Sequence, residues 1–189
     1  MPMNLVPYRI TICGLAELCR HNDAGITHVL TILDPDWPDP NDFRAYAPHR
    51  RTVWRFHDVI SEQAGMVVPQ AAHVAEILEF GRKAQDEPMD HLLVHCHMGI
   101  SRSTATAIIL MAQFNQGREG EAFDHLWNIR PRSWPNSRML GLADSALGRR
   151  GRLVEAMREH HTRVARTYPD LAAALSMGER AGEVPHDFW

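Results

Sequence analysis

Short apolar runs alternate with stretches of helical spacing along the first 150 residues, and this alternation predicts an α/β three-layer domain with a central, mostly parallel sheet flanked by helices. Tyr8 to Cys13, Gly25 to Leu33, Thr52 to His57 and Leu92 to Cys96 read as strands. Leu15 to His21 reads as a helix, and Val67, Ala71, Val74 and Leu78 mark the inner face of a helix expected over Val67 to Lys83. Ala105 to Phe114 is almost wholly apolar, which implies a helix buried on most sides, and helical patterns follow at Gly120 to Ile129 and Ser137 to Leu147. The run Asp34-Pro35-Asp36-Trp37-Pro38-Asp39-Pro40-Asn41-Asp42 breaks both periods. Its prolines remove backbone donors and restrict the residues before them, so it reads as a surface loop.

Beyond Gly151 the helical period continues through Leu153, Met157, His161 and Val164, and Leu171 to Met177 forms another short pattern after Pro169. The expected division is a domain over 1–150 and a helical extension over 151–189 packed on it.

Composition narrows the class. A chain of 189 residues with 44% hydrophobic content is long enough for one sizeable core. Its three cysteines, Cys13, Cys19 and Cys96, have no disulfide spacing, which favours a reducing compartment. No apolar segment approaches the length of a membrane span, and Met1-Pro2-Met3-Asn4 lacks the charged and apolar regions of a signal peptide, so the expected location is cytoplasmic. With a net charge of −3 there is no global basic field, and neither nucleic acid nor a membrane is expected as a partner. Lys83 is the only lysine, and the basic run Arg149, Arg150 and Arg152 reads as a solvated helix end.

The chemistry concentrates in Leu92-Leu93-Val94-His95-Cys96-His97-Met98-Gly99-Ile100-Ser101-Arg102-Ser103, where a strand runs through a glycine-containing loop into a helix. Such a junction is an anion site, because the first N–H groups of a helix have no intrahelical partner and a short loop can aim its own N–H groups at one oxyanion. Phosphate, sulfate or vanadate suits a cradle formed by His97, Met98, Gly99, Ile100, Ser101 and Arg102. Cys96 is the candidate nucleophile, since the cradle and Arg102 favour thiolate, and such sites lower a thiol from about 8.5 to roughly 3.5–7.5. Arg102 supplies a bidentate fork that lysine cannot reproduce, and the Ser103 hydroxyl stabilises the leaving thiolate. A metal site built on His95 and His97 fits poorly, because alternate strand residues face opposite ways and no CxxC pair occurs. No metal and no cofactor is expected.

His95-Cys96-x-x-Gly99-x-x-Arg102-Ser103 resembles the signature loop of the cysteine-dependent protein tyrosine phosphatases, particularly their compact dual-specificity-like branch. Gly25 to Leu30, Arg130-Pro131 and Pro135-Asn136 extend the resemblance over roughly residues 8 to 148. It implies a phosphomonoester hydrolase working through a phosphocysteine, with a phosphorylated protein or small phosphoester as substrate. It also implies that His95 buttresses the loop by hydrogen bonds.

Such an enzyme needs a carboxylic acid on a mobile loop to protonate the departing oxygen. The resemblance points to Asp58, which stands after the third strand and 38 positions before Cys96, a longer separation than in the most compact relatives. Glu62, Asp34 and Asp36 are the substitutes. The loop carries no lysine, which argues against highly charged inositol substrates and favours phosphotyrosine, with phosphoserine and phosphothreonine next. Trp37, Phe43, Tyr46 and Trp54 are candidates to line a wall for a phenyl ring, against the alternative that they belong to a satellite core. Two rival functions remain, a rhodanese-like sulfurtransferase and a non-catalytic phosphopeptide-binding module on the same fold.

Overall fold

The computed structural model describes residues 5–185; Met1 to Asn4 and residues 186–189 lie outside the described residues. Four strands, β1 (Arg9–Gly14), β2 (His28–Leu33), β3 (Arg50–Arg55) and β4 (His91–Cys96), form one sheet in the order β1-β4-β2-β3. Every pairing is parallel, with Gly14 opposite Cys96 and Thr31 opposite His95. The six residues of β4 and of β2 are all buried, as expected for interior strands of a parallel sheet, whose sequences need not alternate.

Among the described residues six α-helices accompany the sheet: α1 (Ala71–Asp86), α2 (Arg102–Gln113), α3 (Glu119–Ile129), α4 (Ser137–Ala146), α5 (Arg152–Thr167) and α6 (Pro169–Ser176). Strand alternation divides the core. Leu92, Val94 and Cys96 face the main cluster with α1, α2 and α4, while Leu93 faces a smaller cluster with Leu18, Phe43 and Tyr46. That second face is covered by two 3-10 helices, Leu15–His21 and Asn41–Ala45. The first replaces the expected helix at the same residues. The second takes Asn41 and Asp42 out of the predicted loop, which ends at Pro40.

Helix α2 is buried along its length from Arg102 to Ala112. Its Thr104, Thr106, Ile108 and Ile109 are β-branched, which costs a helix up to about 0.7 kcal/mol each, yet burying an isoleucine contributes about 1.5–3 kcal/mol. Packing therefore decides this element.

Helix α1 begins at Ala71, four residues later than the periodicity predicts. Pro69 restricts the residue before it, and Gln70 is extended (φ −122°, ψ 164°), so Val67 lies outside the helix and is exposed. The buried face is Val74, Ile77, Leu78, Gly81 and Ala84. Arg149 also departs from the expected solvated run. It is buried, and its Nη2 donates to Ala112 O at 2.6 Å and Gln113 O at 3.1 Å, closing the C-terminus of α2 where a cation is favoured.

Helix α5 packs against α3 and α4 and sends Leu153, Ala156 and Met157 into the main core. Trp134, just before α4, gathers Val164, Ala165, Leu171, Ala172 and Val184 into a third cluster. A last 3-10 helix, Glu179–Glu183, follows α6. Among the described residues no helix is long and apolar enough to cross a membrane.

Candidate active site

Cys96 closes β4 and Arg102 opens α2, so the loop between them hangs at the C-terminal edge of the sheet. Its carbonyls are tied outward. His97 O accepts from Leu15 N at 2.9 Å, Ile100 O from Trp134 N at 2.8 Å, and Ser101 O from Ala105 N at 2.9 Å. Arg130 takes the two between, with Nη2 on Met98 O at 3.1 Å and Nε on Gly99 O at 3.0 Å, while its fork grips Glu17 at 2.8 and 2.9 Å. With the carbonyls drawn out, no group among the described residues accepts from the N–H groups of residues 97–101.

Two glycines make this curl possible. Gly99 sits at φ +67°, and a Cβ there would lie 2.4 Å from Cys13 C. A Cβ on Gly14 would in turn meet Met98 C at 2.8 Å. Neither backbone can yield to a methyl group, because each is the wall against which the other rests.

The side chains line the hollow of this loop. The Cys96 sulfur is buried, 3.2 Å from Ser103 Oγ. Arg102 is also buried, and its Nη1 donates to Asp34 Oδ1 at 2.7 Å and Phe56 O at 2.5 Å. Among the described residues its Nε has no partner and no hydrogen bond reaches Nη2, so the edge able to chelate two oxyanion oxygens is left open. An orphaned buried donor of this kind costs about 1–3 kcal/mol, which an arriving oxyanion recovers.

His95 points to the opposite face of the sheet, with Nε2 2.8 Å from Thr31 Oγ1; burial pushes its pKa down to about 4. His97 is lowered too, chiefly by burial, with Arg102 adding to the effect and Asp34 opposing it. Its Nε2 accepts from Asp34 N at 3.3 Å, and its ring meets Trp37 edge-on at 4.4 Å. Trp37 is 46% exposed and Met98 69% exposed, so the cradle has an apolar rim. Phe43, Tyr46 and Trp54 are buried in the core instead.

Asp58 lies on the loop after β3, and its Oδ1 is crowded with donors. Ser101 Oγ donates to it at 2.6 Å and Asn136 Nδ2 at 2.9 Å, with Arg180 Nη1 at 3.6 Å. Asn136 caps α4 with its other amide atom, accepting from Met139 N at 3.1 Å. Of the substitute acids, Glu62 pairs with Arg138 at 2.7 Å on the surface, Asp36 is exposed, and Asp34 holds Arg102. The structure thus brings Cys96, Ser101, Arg102, Ser103 and Asp58 together and leaves Glu62 and Asp36 apart. Sequence reasoning missed Asn136 and Arg180 as partners of Asp58, and Glu17 and Arg130 as braces of the loop. The Pro135-Asn136 match was a signal for the first, whereas Arg180 carried none. Among the described residues no group of three or more His, Cys, Asp or Glu side chains is placed to hold a metal ion.

No family model matches the chain. Among curated proteins, human protein phosphatase Slingshot homolog 3 is 30% identical over 127 residues, covering 65% of this chain and 16% of that protein. The rat Slingshot homolog 3 is 28% identical over 149 residues, or 78% of this chain and 20% of that protein, so the chain spans a fifth or less of the length of these relatives. Among solved structures, human tyrosine phosphatase-like serine/threonine/tyrosine-interacting protein superposes with a TM-score of 0.58 at 20% identity, over 77% of this chain and 94% of that one. Human DUSP28 gives 0.55 at 17% identity, over 74% and 91%. These superpositions establish a common fold.

Proposed function

We propose, from the premise that the chain belongs to the cysteine-dependent protein tyrosine phosphatase superfamily on its dual-specificity-like branch, that it hydrolyses phosphomonoesters through a phosphocysteine. The carrying observation is the conjunction of a buried, partnerless Arg102 Nε with unclaimed N–H groups from 97 to 101. Together they suit a tetrahedral dianion held on the loop that Cys96 opens.

Phosphate oxygens accept from the loop N–H groups and from the Nε–Nη2 edge of Arg102. The Cys96 thiolate attacks phosphorus, an S–P bond forms, and the P–O bond breaks as the leaving oxygen takes a proton from Asp58. Water then attacks the phosphocysteine and gives its proton to Asp58. The S–P bond breaks, inorganic phosphate is released, and Ser103, 3.2 Å away, donates to the thiolate that leaves. A sulfurtransferase reading gives Asp58 and Ser103 no step to perform, and a pure binding module gives none to Cys96.

Phosphotyrosine in proteins is the preferred substrate in this reading, because Trp37, His97 and Met98 offer an apolar rim to a phenyl ring and no lysine stands in the loop. The cytoplasm suits the chemistry, since its thiol pool keeps Cys96 reduced. Para-nitrophenyl phosphate tests the reading with wild type beside Cys96→Ser. The expected outcome is vanadate-sensitive turnover in the wild type and none in the variant, which keeps the cradle and still binds phosphate. Turnover by the serine variant rejects the mechanism, and thiosulfate turnover by the wild type redirects it to sulfur transfer. A phosphotyrosine peptide hydrolysed no faster than its phosphoserine counterpart removes the substrate preference.

A further inference from the structure

The 3-10 helix Glu179–Glu183, about 120 residues from the acid loop in sequence, reaches that loop through its first two residues, at Ile60 and Ser61 and beside Asp58. Glu183 anchors it: Oε2 accepts from Trp134 Nε1 at 2.9 Å and Arg180 Nε at 2.6 Å, and Oε1 accepts from Ser137 N at 3.1 Å. Arg180 is buried, and its Nη2 lies 3.3 Å from Trp134 O and 3.4 Å from Pro135 O. Its Nη1 donates to Ser101 Oγ at 2.6 Å and stands 3.6 Å from Asp58 Oδ1. Each of its three nitrogens is engaged, so Arg180 is committed to protein contacts rather than kept for a ligand. Glu179, on the surface beside it, accepts from Ile60 N at 2.8 Å, Ser61 N at 3.1 Å and Ser61 Oγ at 3.1 Å. Burial works to raise the Glu179 pKa, but the Ile60 and Ser61 donors outweigh it and hold the carboxylate below its usual range.

We propose that Arg180 and Glu179 are positioning residues of the catalytic apparatus, and that the C-terminal segment clasps the acid loop to fix Asp58 against the signature loop. The inference rests on the phosphatase reading for what Asp58 does, though not for the clasp itself. A serine hydroxyl has one hydrogen and two lone pairs. With Arg180 donating into a lone pair of Ser101 Oγ, the serine hydrogen is free to go to Asp58 Oδ1, where Asn136 also donates. Oδ1 is then saturated, and the proton that Asp58 gives to a leaving group belongs on Oδ2, which no described residue engages. Glu179 holds the loop two and three residues further on, so that Asp58 is fixed from both directions. Acid catalysis is sensitive to such placement, since a displacement of about 1 Å can cost on the order of 100-fold.

The full chain with Arg180→Gln, Arg180→Lys or Glu179→Ala provides the test. Phenyl phosphate has a poor leaving group and depends on the acid, whereas para-nitrophenyl phosphate leaves readily. The clasp predicts that Arg180→Gln slows the first ester by roughly 10–100-fold, part of the 10²–10⁴ a general acid supplies, and the second much less. Vanadate inhibition should hold steady in every variant, and Arg180→Lys should recover part of the loss. Glu179→Ala, at an exposed site, should give a smaller loss of the same selectivity. Amide exchange at Ile60 and Ser61 should quicken in Glu179→Ala and Arg180→Gln. Equal slowing of both esters with weakened vanadate inhibition would make Arg180 a structural prop and overturn the proposal, as would unchanged kinetics and exchange. If the wild type hydrolyses neither ester, the phosphatase reading falls, while exchange at Ile60 and Ser61 still decides whether the clasp exists.

Discussion

The signature loop and the loop carrying Asp58 meet where Ser101 Oγ donates to Asp58 Oδ1, yet they are held in different ways. From Cys96 to Arg102 the backbone is shaped by hydrogen bonds to its own carbonyls, three from backbone N–H groups and two from the Arg130 side chain, and by the mutual contact of Gly99 and Gly14. From Asp58 to Ser61 the chain is held by side chains of Ser101, Asn136, Glu179 and Arg180, up to about 120 residues away. The first region is rigid because any other path for the loop would leave buried carbonyls unpaired or force backbones into contact. The second depends on distant groups, each of which can be removed without touching the nucleophile. The two halves should therefore fail differently: damage to the signature loop removes anion binding and turnover together, and damage to the acid loop removes only acid-dependent turnover.

Gly99→Ala is the severest way to break that contrast. Its methyl would stand 2.4 Å from Cys13 C and 2.6 Å from Cys13 O and Gly14 N, at φ +67°. Strain of this kind costs on the order of 1–3 kcal/mol even without the collision. The expected result is loss of both para-nitrophenyl phosphate turnover and vanadate binding, with a lower thermal midpoint. A Gly99→Ala protein that binds vanadate like the wild type would show that the Cys13–Gly14 wall yields, and that the signature loop is no more rigid than its partner.

Asp58→Asn breaks the other half. The amide keeps an acceptor for Ser101 and Asn136 but has no proton to give, so phenyl phosphate hydrolysis should fall by about 10²–10⁴. Para-nitrophenyl phosphate should suffer much less, with phosphate and vanadate affinity intact. The basic limb of the pH profile should also flatten. If both esters slow alike, Asp58 is not the acid. Asp34 is then the next residue to replace, because it also touches the cradle through Arg102.

The same contrast explains what the sequence made legible. Cys96, Gly99, Arg102 and Ser103 lie within eight consecutive residues, so their spacing alone defines a strand, a turn and a helix start around one oxyanion. Likewise the strands were readable, because apolar runs bounded by turns leave few alternatives. The start of α1 was not, since Val67 continues the helical period while Pro69 forbids the helix. Nor could local pattern show that Arg149 turns inward onto the end of α2, or that Arg180 returns to Ser101. Both are arginines in polar surroundings, and only tertiary packing distinguishes a buried cap from a solvated charge. Asp58 was proposed from its position after the third strand, whereas the side chains that hold it, drawn from three separate elements, were invisible to spacing.

Each half also stands on a buried, neutral histidine, and the smallest expected effect follows from these. His95 lies behind the signature loop against Thr31, and His160 lies beneath the segment carrying Trp134 and Asn136, with Nε2 2.9 Å from Ser133 Oγ. Burial pushes both down to about 4. An unfolded histidine titrates near 6.5, so as pH falls below that value the unfolded chain takes up protons that the folded chain refuses. Stability is therefore full above pH 6.5 and declines as pH approaches 4, by on the order of 3 kcal/mol for each histidine at the bottom of that window. Between pH 7 and 5 the urea midpoint of the wild type should drop. His160→Gln, which keeps a polar group near Ser133 but cannot be protonated, should be less stable at pH 7 and lose less on acidification. With the residues of the signature loop untouched, the variant should still bind vanadate at pH 7. An unchanged pH slope in His160→Gln would mean that this histidine is already solvated in the folded state, and the acid-side seam would then be looser than its packing against Phe123 and Trp127 implies.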